Sequence, residues 1–240
     1  MNSLYIVGTP IGNLEDITLR ALRVFKEADV ILCEDTRVTT RLLDRYEIRA
    51  KQLATYNEQN SGVTARKIIG WLEEGKNVAL VSDAGTPGIS DPGAKLVRSI
   101  VEKFGSYDTK LKTSSEAELK NLPTIVSVPG PSALTTALSI AGVPVHDFTF
   151  LGFLPHKKGR ETLFKEIAVS KRAVVFYESP HRILKTLESL KKFAPEKRIT
   201  ICRELTKLHE QVISGTPTEL LRYFETNPDK VRGEFVVIVQ

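Results

Sequence analysis

Short apolar runs of strand length alternate along the chain with longer segments in which apolar residues recur every three or four positions. The first half contains four such runs, each followed by a helical pattern: LYIVGT (4–9), VILCE (30–34), KQLATYN (51–57) and NVALVSD (77–83). Because these runs contain few polar residues, the strands are expected to be covered by helices on both faces. The pattern predicts a parallel sheet.

The helical segments of the first half have start and stop signals. The segment LEDITLRALRVFKEAD (14–29) predicts one helix with four apolar side chains roughly on one face: Leu14, Ile17, Leu22 and Phe25. Gly75 marks the end of the helix TARKIIGWLEEG, and Pro92 suits the first turn of the next helix. Strands and helices therefore alternate regularly up to about residue 104.

Residues 105–122 interrupt this alternation with a polar, Ser/Lys/Glu-rich stretch, which predicts an exposed insertion or linker. A second α/β series follows, and its strand spacing shortens towards the end. The short spacing favours an antiparallel arrangement of EQVISG (210–215) and GEFVVIVQ (233–240). We predict a two-domain α/β fold, with a parallel sheet in the first domain and a mixed sheet in the second. The expected division is a first domain at 1–110, a linker at 111–122 and a second domain at 123–240.

The composition argues against a disordered, a disulfide-stapled and a membrane-spanning protein. Of 240 residues, 41% are hydrophobic and 26% are charged, which supplies an ordinary core and excludes general disorder. The two cysteines, Cys33 and Cys202, lie in apolar runs, which argues against a disulfide-stapled scaffold and indicates a reducing compartment. No signal-peptide pattern and no stretch of roughly 18 apolar residues is present. The sequence therefore predicts a soluble, cytoplasmic protein with no membrane partner.

Positive charge is concentrated in the second half. The net charge is +5, but residues 151–200 hold twelve Lys and Arg against five Glu and no Asp, which gives +7 for that stretch. A local basic excess suits a phosphate-bearing partner. A solvated basic face on two helices explains the charge equally well.

Glycine- and proline-rich loops follow several strands. SDAGTPGISDPG (82–93) contains three glycines, two prolines and two aspartates in twelve residues, more special backbone than a simple connection needs. Asp83 is a candidate hydrogen-bonding group there, whereas Asp91 suits a cap on the following helix. Ser132, in PGPSA, suits both a helix cap and a ligand contact. GTPIGN (8–13) is not GxGxxG, so a dinucleotide cradle is poorly supported.

Polar groups follow other strands as well. CEDTR (33–37) provides Glu34, Asp35 and Arg37, which suit either a ribose contact or a local ion pair. YNEQN (56–60) and YESPHR (177–182) end two further strands. His181 has no second His or Cys at ligand spacing, so no metal site is predicted.

Taken together and in this order, GTPIGNLEDIT, CEDTR, SDAGTPGISDPG, PGPSA, FYESPHR, REL and RGEFVVIV closely resemble the tetrapyrrole methylase superfamily, from residue 4 to 239. The resemblance is to the branch that methylates small-subunit ribosomal RNA. It implies a two-domain class III methyltransferase fold, a homodimer, and S-adenosylmethionine bound between the domains. By motif, the implied cofactor contacts are Pro10, Ile11, Ser82, Asp83, Thr86, Ser132, Ala133, Tyr177 and Glu178.

The resemblance also implies methyl transfer to the ribose 2′-oxygen of a cytidine in the decoding region of 16S rRNA. A ribose hydroxyl is a poor nucleophile, so a carboxylate base is expected, and the candidates are Glu34, Asp35 and Glu58. Candidate RNA contacts are Arg37, Asn57, Lys157, Lys158, Arg160 and Arg182.

Two other functions remain open at this point. A methyltransferase acting on a porphyrinoid carbon would have the same fold, because function depends on the site rather than on the fold. A noncatalytic RNA-binding or assembly factor with a vestigial cofactor site is the second alternative. The basic second half, CEDTR and YESPHR favour an RNA substrate.

Overall fold

The structure is a computed structural model that describes residues 2–57, 61–104, 122–143 and 146–240. The described chain divides into two compact units, residues 1–132 and 133–240. The first unit contains strands and helices in this order: β1 Ser3–Val7, α1 Leu19–Glu27, β2 Val30–Cys33, α2 Thr36–Arg45, β3 Leu53–Thr55, α3 Ser61–Glu73, β4 Val78–Leu80, α4 Gly93–Phe104 and β5 Thr124–Val128.

The five strands of the first unit form one sheet in the order β3-β2-β4-β1-β5, and all neighbours are parallel. Helices α1 and α2 cover one face, where Phe25 and Leu43 are buried. Helices α3 and α4 cover the other face, where Leu72 and Leu96 are fully buried. The predicted parallel sheet with helices on both faces is confirmed.

The predicted helix at 14–29 is broken into two pieces. Residues Leu14–Asp16 form a 3-10 turn, and α1 begins only at Leu19. Thr18 separates them because its backbone is extended and its hydroxyl accepts a hydrogen bond from the Ala21 amide at 3.1 Å. The apolar periodicity continues through the break, which is why the pattern alone predicted one helix.

The predicted domain boundary is also displaced. β5 follows residue 123, yet it pairs along its whole length with β1, from Ser3 opposite Thr124 to Val7 opposite Val128. The division into compact units lies between Ser132 and Ala133. The assignment of 123–240 to the second domain is therefore wrong for β5. Residues 105–121 of the predicted insertion lie outside the described residues.

The described residues of the second unit form α-helices and strands in this order: α5 Ala133–Ile140, β6 Phe148–Phe153, α6 Arg160–Val169, β7 Ala173–Glu178, α7 Ile183–Phe193, β8 Ile199–Arg203, β9 Gln211–Gly215, α8 Pro217–Thr226 and β10 Phe235–Val239. Helices α6, α7 and α8 bury Phe164, Leu187 and Phe224 in one hydrophobic core with the strands. The Cys202 thiol lies 3.9 Å from the carbonyl oxygen of Ala137 in α5.

The sheet of the second unit is mixed, as predicted, with the order β6-β7-β10-β8-β9. β6 and β7 are parallel, and the other three pairs are antiparallel. The expectation of an antiparallel β9 and β10 is wrong, because β8 lies between them and is antiparallel to both. β9 and β10 therefore run in the same direction without touching.

Cys33 and Cys202 are both buried and free, as the sequence indicates. Burial raises the pKa of the Cys202 thiol to about 11, so this group is not a nucleophile near neutral pH. None of the helices in the described ranges is long and apolar enough to cross a bilayer.

Candidate functional site

The loops that carry the unusual motifs of the first unit meet at one edge of its sheet. In a parallel sheet the carboxyl ends of all strands lie on the same side, so the loops after β1, β2, β4 and β5 are neighbours. The loop after β4 leads to α4 on one face, whereas the loops after β1 and β2 lead to helices on the opposite face. A ligand crevice forms where neighbouring connections diverge in this way. The connections diverge on both sides of β4: on the first side, between β4 and β1, and on the second side, between β4 and β2.

On the first side, a pair of backbone hydrogen bonds joins the loops after β1 and β4. The Thr9 amide donates to the Gly85 carbonyl at 2.9 Å, and the Gly85 amide donates to the Thr9 carbonyl at 3.1 Å. The buried Thr9 hydroxyl also donates to the Ser82 carbonyl at 3.2 Å. The sequence analysis did not single out Thr9. The signal in the sequence is a threonine between Gly8 and Pro10, and the structure shows that its hydroxyl is buried.

The loops after β1 and β5 are held at backbone contact. A Cβ atom added to Gly8 would lie 2.7 Å from the Cα of Gly130, and one added to Gly130 would lie 2.7 Å from the Gly8 carbonyl oxygen. The Gly8 amide donates to the Val128 carbonyl at 3.1 Å. There is therefore no space for a side chain at Gly8 or Gly130, and any larger residue would separate the two loops.

The long loop 82–92 is fixed from within by its own polar groups. The Asp91 carboxylate accepts hydrogen bonds from the Gly88 amide at 2.8 Å and the Gly93 amide at 2.7 Å, so it ties the loop to the start of α4. The Ser82 hydroxyl donates to the Ala84 carbonyl at 3.2 Å, and the Thr86 hydroxyl donates to the Pro131 carbonyl at 3.0 Å. The predicted capping role of Asp91 is confirmed. The Ser82 and Thr86 side chains shape the loop.

On the second side of β4, carboxylates from two loops lie together. Asp83 accepts a hydrogen bond from the Asp35 amide at 3.0 Å through Oδ1, which links the end of β4 to the end of β2. The half-buried Glu34 carboxylate accepts a hydrogen bond from the Asp83 backbone. Burial, with the negative charges of Asp83 and Asp91, raises the pKa of Glu34. Asp83 is exposed overall, and the partial burial of its carboxylate, with the negative charge of Asp35, raises its pKa.

Asp35 is in a different situation, although it is the next residue. The Arg37 guanidinium donates from Nε to Oδ1 at 3.0 Å and from Nη2 to Oδ2 at 2.5 Å, and the Arg37 amide donates to Oδ1 at 2.8 Å. These hydrogen bonds lower the pKa of Asp35 to about 2. The local ion pair that the sequence left open is present for Asp35 and Arg37, and Glu34 is not part of it.

The third strand contributes Tyr56 and Asn57. The Tyr56 side chain is buried, and its hydroxyl donates to the Pro92 carbonyl at 3.4 Å. Asn57 is half-buried next to it. The candidate Glu58 lies outside the described residues.

The remaining predicted cofactor contacts divide between the two units. Pro10 and Ile11 are buried beside the loop after β4, since the Cγ2 of Ile11 is 3.5 Å from where a Cβ on Gly85 would lie. Ser132 directly precedes α5, at the position of a helix cap, and Ala133 is its first residue. Tyr177 makes edge-on ring contacts with Phe150 and Phe153, with centroids 5.0 and 5.5 Å apart.

Glu178 and two of the predicted RNA contacts lie together inside the second unit. The Glu178 side chain is fully buried and accepts hydrogen bonds from the Ser179 amide at 2.9 Å and the Thr186 hydroxyl at 2.6 Å. Arg160 is only 8% exposed, and Arg182 bonds to Glu178 as well. The structure thus places Arg160 in the interior and not on a basic surface. The sequence analysis did not single out Thr186. It could have been identified as a polar residue on the otherwise apolar face of α7.

Lys157 and Lys158, in contrast, are exposed, as is Arg37. Within the described ranges no group of three or more His, Cys, Asp or Glu could hold a metal ion.

Comparison with known proteins matches residues 3–221 to the family model of the tetrapyrrole (corrin/porphyrin) methylases. The chain is 44% identical over 239 residues to "Ribosomal RNA small subunit methyltransferase I" of Thermotoga maritima, covering 100% of this chain and 98% of the relative. The protein of the same name from Bacillus subtilis is 40% identical, with coverage of 100% and 75%.

Solved structures with the same fold are more distant in sequence. The methyltransferase CobJ is 19% identical with a TM-score of 0.67, covering 100% of this chain and 94% of that one. The uroporphyrin-III C-methyltransferase of Thermus thermophilus, solved in complex with S-adenosyl homocysteine, is 18% identical with a TM-score of 0.64, covering 99% and 97%. These two similarities show the fold.

Proposed function

The chain belongs to the tetrapyrrole (corrin/porphyrin) methylase family, and from this premise we propose that it is an S-adenosylmethionine-dependent methyltransferase of small-subunit ribosomal RNA. The observation that carries the proposal is 44% identity along the whole chain to a relative named for that activity. We assign the ribose 2′-oxygen of a cytidine in the decoding region of 16S rRNA as the methyl acceptor.

The alternative substrate, a porphyrinoid carbon, has weaker support. The solved enzymes that are named for uroporphyrin III share 17–21% identity with this chain, about half the identity of the ribosomal relatives. At that level the fold is shared, whereas the groups that face the substrate are free to differ.

The residues at the edge of the first sheet fit a donor-rich, cationic cofactor. S-adenosylmethionine carries a sulfonium, an ammonium and two ribose hydroxyls, which need hydrogen-bond acceptors and tolerate negative charge nearby. The exposed Asp83 supplies such an acceptor in the loop that contains Thr86, and the neighbouring loop after β1 contains Pro10 and Ile11. We propose that these loops hold the cofactor in the first unit, and that Ser132, Ala133 and Tyr177 contribute as the resemblance implies.

When bound, the cofactor supplies an electrophilic methyl group on a good leaving group, so the chain needs only to align the acceptor oxygen and take its proton. We assign Glu34 as the general base. Glu34 would accept the proton of the ribose hydroxyl through a carboxylate oxygen as that hydroxyl takes up the methyl group, and it would later release the proton to solvent.

The surroundings of the candidate carboxylates support this choice. A general base works best when its pKa is close to the operating pH, and the pKa of Glu34 is raised by burial and by neighbouring carboxylates. Asp35 is held by the Arg37 guanidinium, and its pKa of about 2 makes it a weak base. Asp35 instead caps α2, where its side chain accepts a hydrogen bond from the Arg37 amide.

We also propose that the protein acts as a homodimer in the cytoplasm. The dimer rests on the family resemblance, and the location rests on the ribosomal substrate. Sedimentation at micromolar concentration tests the dimer, and a species of 26.7 kDa alone would contradict it.

Transfer of radiolabelled methyl groups from S-adenosylmethionine tests the proposed function. The substrates are small ribosomal subunits isolated without this modification and, in parallel, uroporphyrinogen III. We expect label in 16S rRNA only, in a cytidine whose phosphodiester resists alkaline hydrolysis because its 2′-oxygen is methylated. Label in the porphyrinoid, or in a base, would overturn the proposal. Cofactor binding by calorimetry with no transfer would identify a vestigial site.

A further inference from the structure

A carboxylate is buried at the end of β7, at the centre of a small polar cluster. The Glu178 side chain is 0% exposed, and its partners are Arg182, with Nε 3.2 Å from Oε1, and Arg160, with Nη2 3.9 Å from Oε2. The Thr186 hydroxyl donates to Oε2 at 2.6 Å. A buried charge needs partners of this kind, because an unpaired one is strongly destabilising. We call Glu178, Arg160, Arg182 and Thr186 the Glu178 cluster.

The two arginines connect this cluster to the loop between β6 and α6. Arg182 donates from Nη2 to the Leu154 carbonyl at 2.6 Å, and Arg160 donates from Nη1 to the Pro155 carbonyl at 3.1 Å. Arg160 also donates from Nη2 to the Thr186 hydroxyl at 2.7 Å. Arg182 also reaches the Pro155 carbonyl at 3.5 Å. Each guanidinium therefore links Glu178 and Thr186 to backbone carbonyls of the loop.

The loop that is held in this way is strongly basic at its tip. Residues 154–159, LPHKKG, form what we call the basic loop, in which Lys157 and Lys158 are exposed. Its far end is closed by a turn in which the Arg160 amide donates to the Lys157 carbonyl at 3.2 Å, and Gly159 has φ = 80°. The two lysines are thus adjacent, exposed and carried by backbone that is fixed on both sides.

We propose that the basic loop binds the phosphate backbone of the RNA substrate through Lys157 and Lys158, and that Glu178, Arg160 and Arg182 are positioning residues for it. The inference rests on the proposed function, since it takes RNA as the polyanion. It assigns the arginines to the loop backbone, where sequence reasoning expected phosphate contacts, and it assigns Glu178 to the loop and not to the cofactor.

The physical gain is preorganisation. Holding a loop in its bound shape removes part of the entropy loss that binding would otherwise require. Lysine contacts to phosphates position the RNA without reading its sequence, and they release counterions, so they make affinity depend on salt. Positioning residues that do not touch phosphate change the affinity without changing that salt dependence. This difference separates the two roles experimentally.

The test compares three variants by equilibrium binding to 16S rRNA between 50 and 200 mM salt. For Lys157→Ala/Lys158→Ala we expect weaker binding and a salt slope, log Kd against log salt, that is shallower by about 1.4 for two lost single-strand phosphate contacts. Lys191→Ala/Lys192→Ala removes the same charge from exposed positions at the other end of α7 and should leave the slope unchanged.

For Glu178→Gln we expect the affinity for RNA to fall at least fivefold with an unaltered salt slope. The substitution removes one negative charge from the protein, so charge alone would strengthen RNA binding. In the methyl-transfer assay the KM for RNA should rise while kcat and the affinity for S-adenosylmethionine stay constant. Unchanged or tighter RNA binding would overturn the positioning role, and a selective loss of cofactor affinity would return Glu178 to the cofactor site.

Two further controls keep the outcome interpretable. Thr186→Val removes one hydrogen bond to Glu178 without changing any charge, and it should reproduce a smaller loss of RNA affinity if Glu178→Gln does not fold. Wild-type activity on the ribosomal subunit tests the proposed function separately. If the wild type methylates RNA and the lysine pair leaves the salt slope unchanged, the inference about the basic loop alone is wrong.

Discussion

Glu34 and Asp35 are adjacent residues whose carboxylates have opposite electrostatic surroundings. Asp35 receives hydrogen bonds from the backbone amide and the guanidinium of Arg37, which lower its pKa, whereas burial and neighbouring carboxylates raise the pKa of Glu34. In the native state Asp35 therefore stabilises the fold above the unfolded pKa of about 4, and that contribution is lost as the pH falls. Glu34 binds its proton more tightly in the native state, so its contribution to stability falls as the pH rises through the unfolded pKa, and it opposes stability in full above the raised native pKa.

Substitution of Glu34 by Gln tests the assigned base. We expect kcat to fall by roughly 100-fold or more, which is the usual contribution of a general base, with little change in cofactor affinity. Since the base must be ionised, wild-type kcat should rise as the pH increases through the raised pKa of Glu34. The kcat of the variant should not show this increase with pH.

Asp35→Asn is the matched comparison for Glu34→Gln, because it removes a neighbouring negative charge with a similar change of shape. We expect a much smaller loss of kcat from Asp35→Asn, together with a loss of stability above pH 5 from the broken pair with Arg37. If Glu34→Gln stays within threefold of the wild type across the pH range, the base lies elsewhere.

At the scale of the elements, the close approach of the loops after β1 and β5 depends on two glycines. A Cβ on Gly130 would lie 2.7 Å from the Gly8 carbonyl oxygen, and the backbone there has no flexible side chain that could move aside. Gly130→Ala should therefore lower the free energy of unfolding by about 1–3 kcal/mol and weaken cofactor binding. Chemical denaturation and calorimetry measure the two effects.

The control for this prediction is Gly70→Ala within α3. A Cβ on Gly70 would meet nothing within 4 Å, and alanine is the better helix former. This substitution should stabilise the protein by about 0.5–1 kcal/mol. Equal effects of the two substitutions would show that the contact between the loops does not limit the fold.

The sequence predicted which segments form strands and helices better than it predicted which strands pair with each other. Periodicity and turn residues are local, so they identified the strands, the parallel first sheet and the cap at Asp91. The position of β8 between β9 and β10 depends on pairing between distant segments, which no local pattern encodes. The same limit applies to Glu178: the family motif implied a cofactor contact, whereas its burial and its bonds to Thr186 and Arg182 depend on tertiary packing.

At the scale of the whole molecule, the two units should lose stability independently. Val128 in β5 is buried with the core of the first unit, and Val237 in β10 is buried in the core of the second. Truncation of either to Ala should cost about 2 kcal/mol, for two buried methyl groups and the cavity left behind. Hydrogen exchange should then quicken in β1 and β4 for Val128→Ala, and in β7 and β8 for Val237→Ala.

This pair of substitutions also tests the boundary at Ser132. If Val128→Ala quickened exchange in β7 and β8 while β1 and β4 stayed protected, β5 would belong energetically to the second unit. The expected pattern assigns it to the first, in agreement with its pairing to β1.

The central position of β10 affects how the protein is made. All five strands of the first sheet have left the ribosome by the time Val128 emerges, so that unit is free to fold while synthesis continues. In the second sheet the middle strand is translated last, and β7 and β8 have no shared neighbour until residues 235–239 arrive. Until then the nascent chain exposes two unpaired strand edges, so it is most vulnerable to misassembly before residues 235–239 emerge.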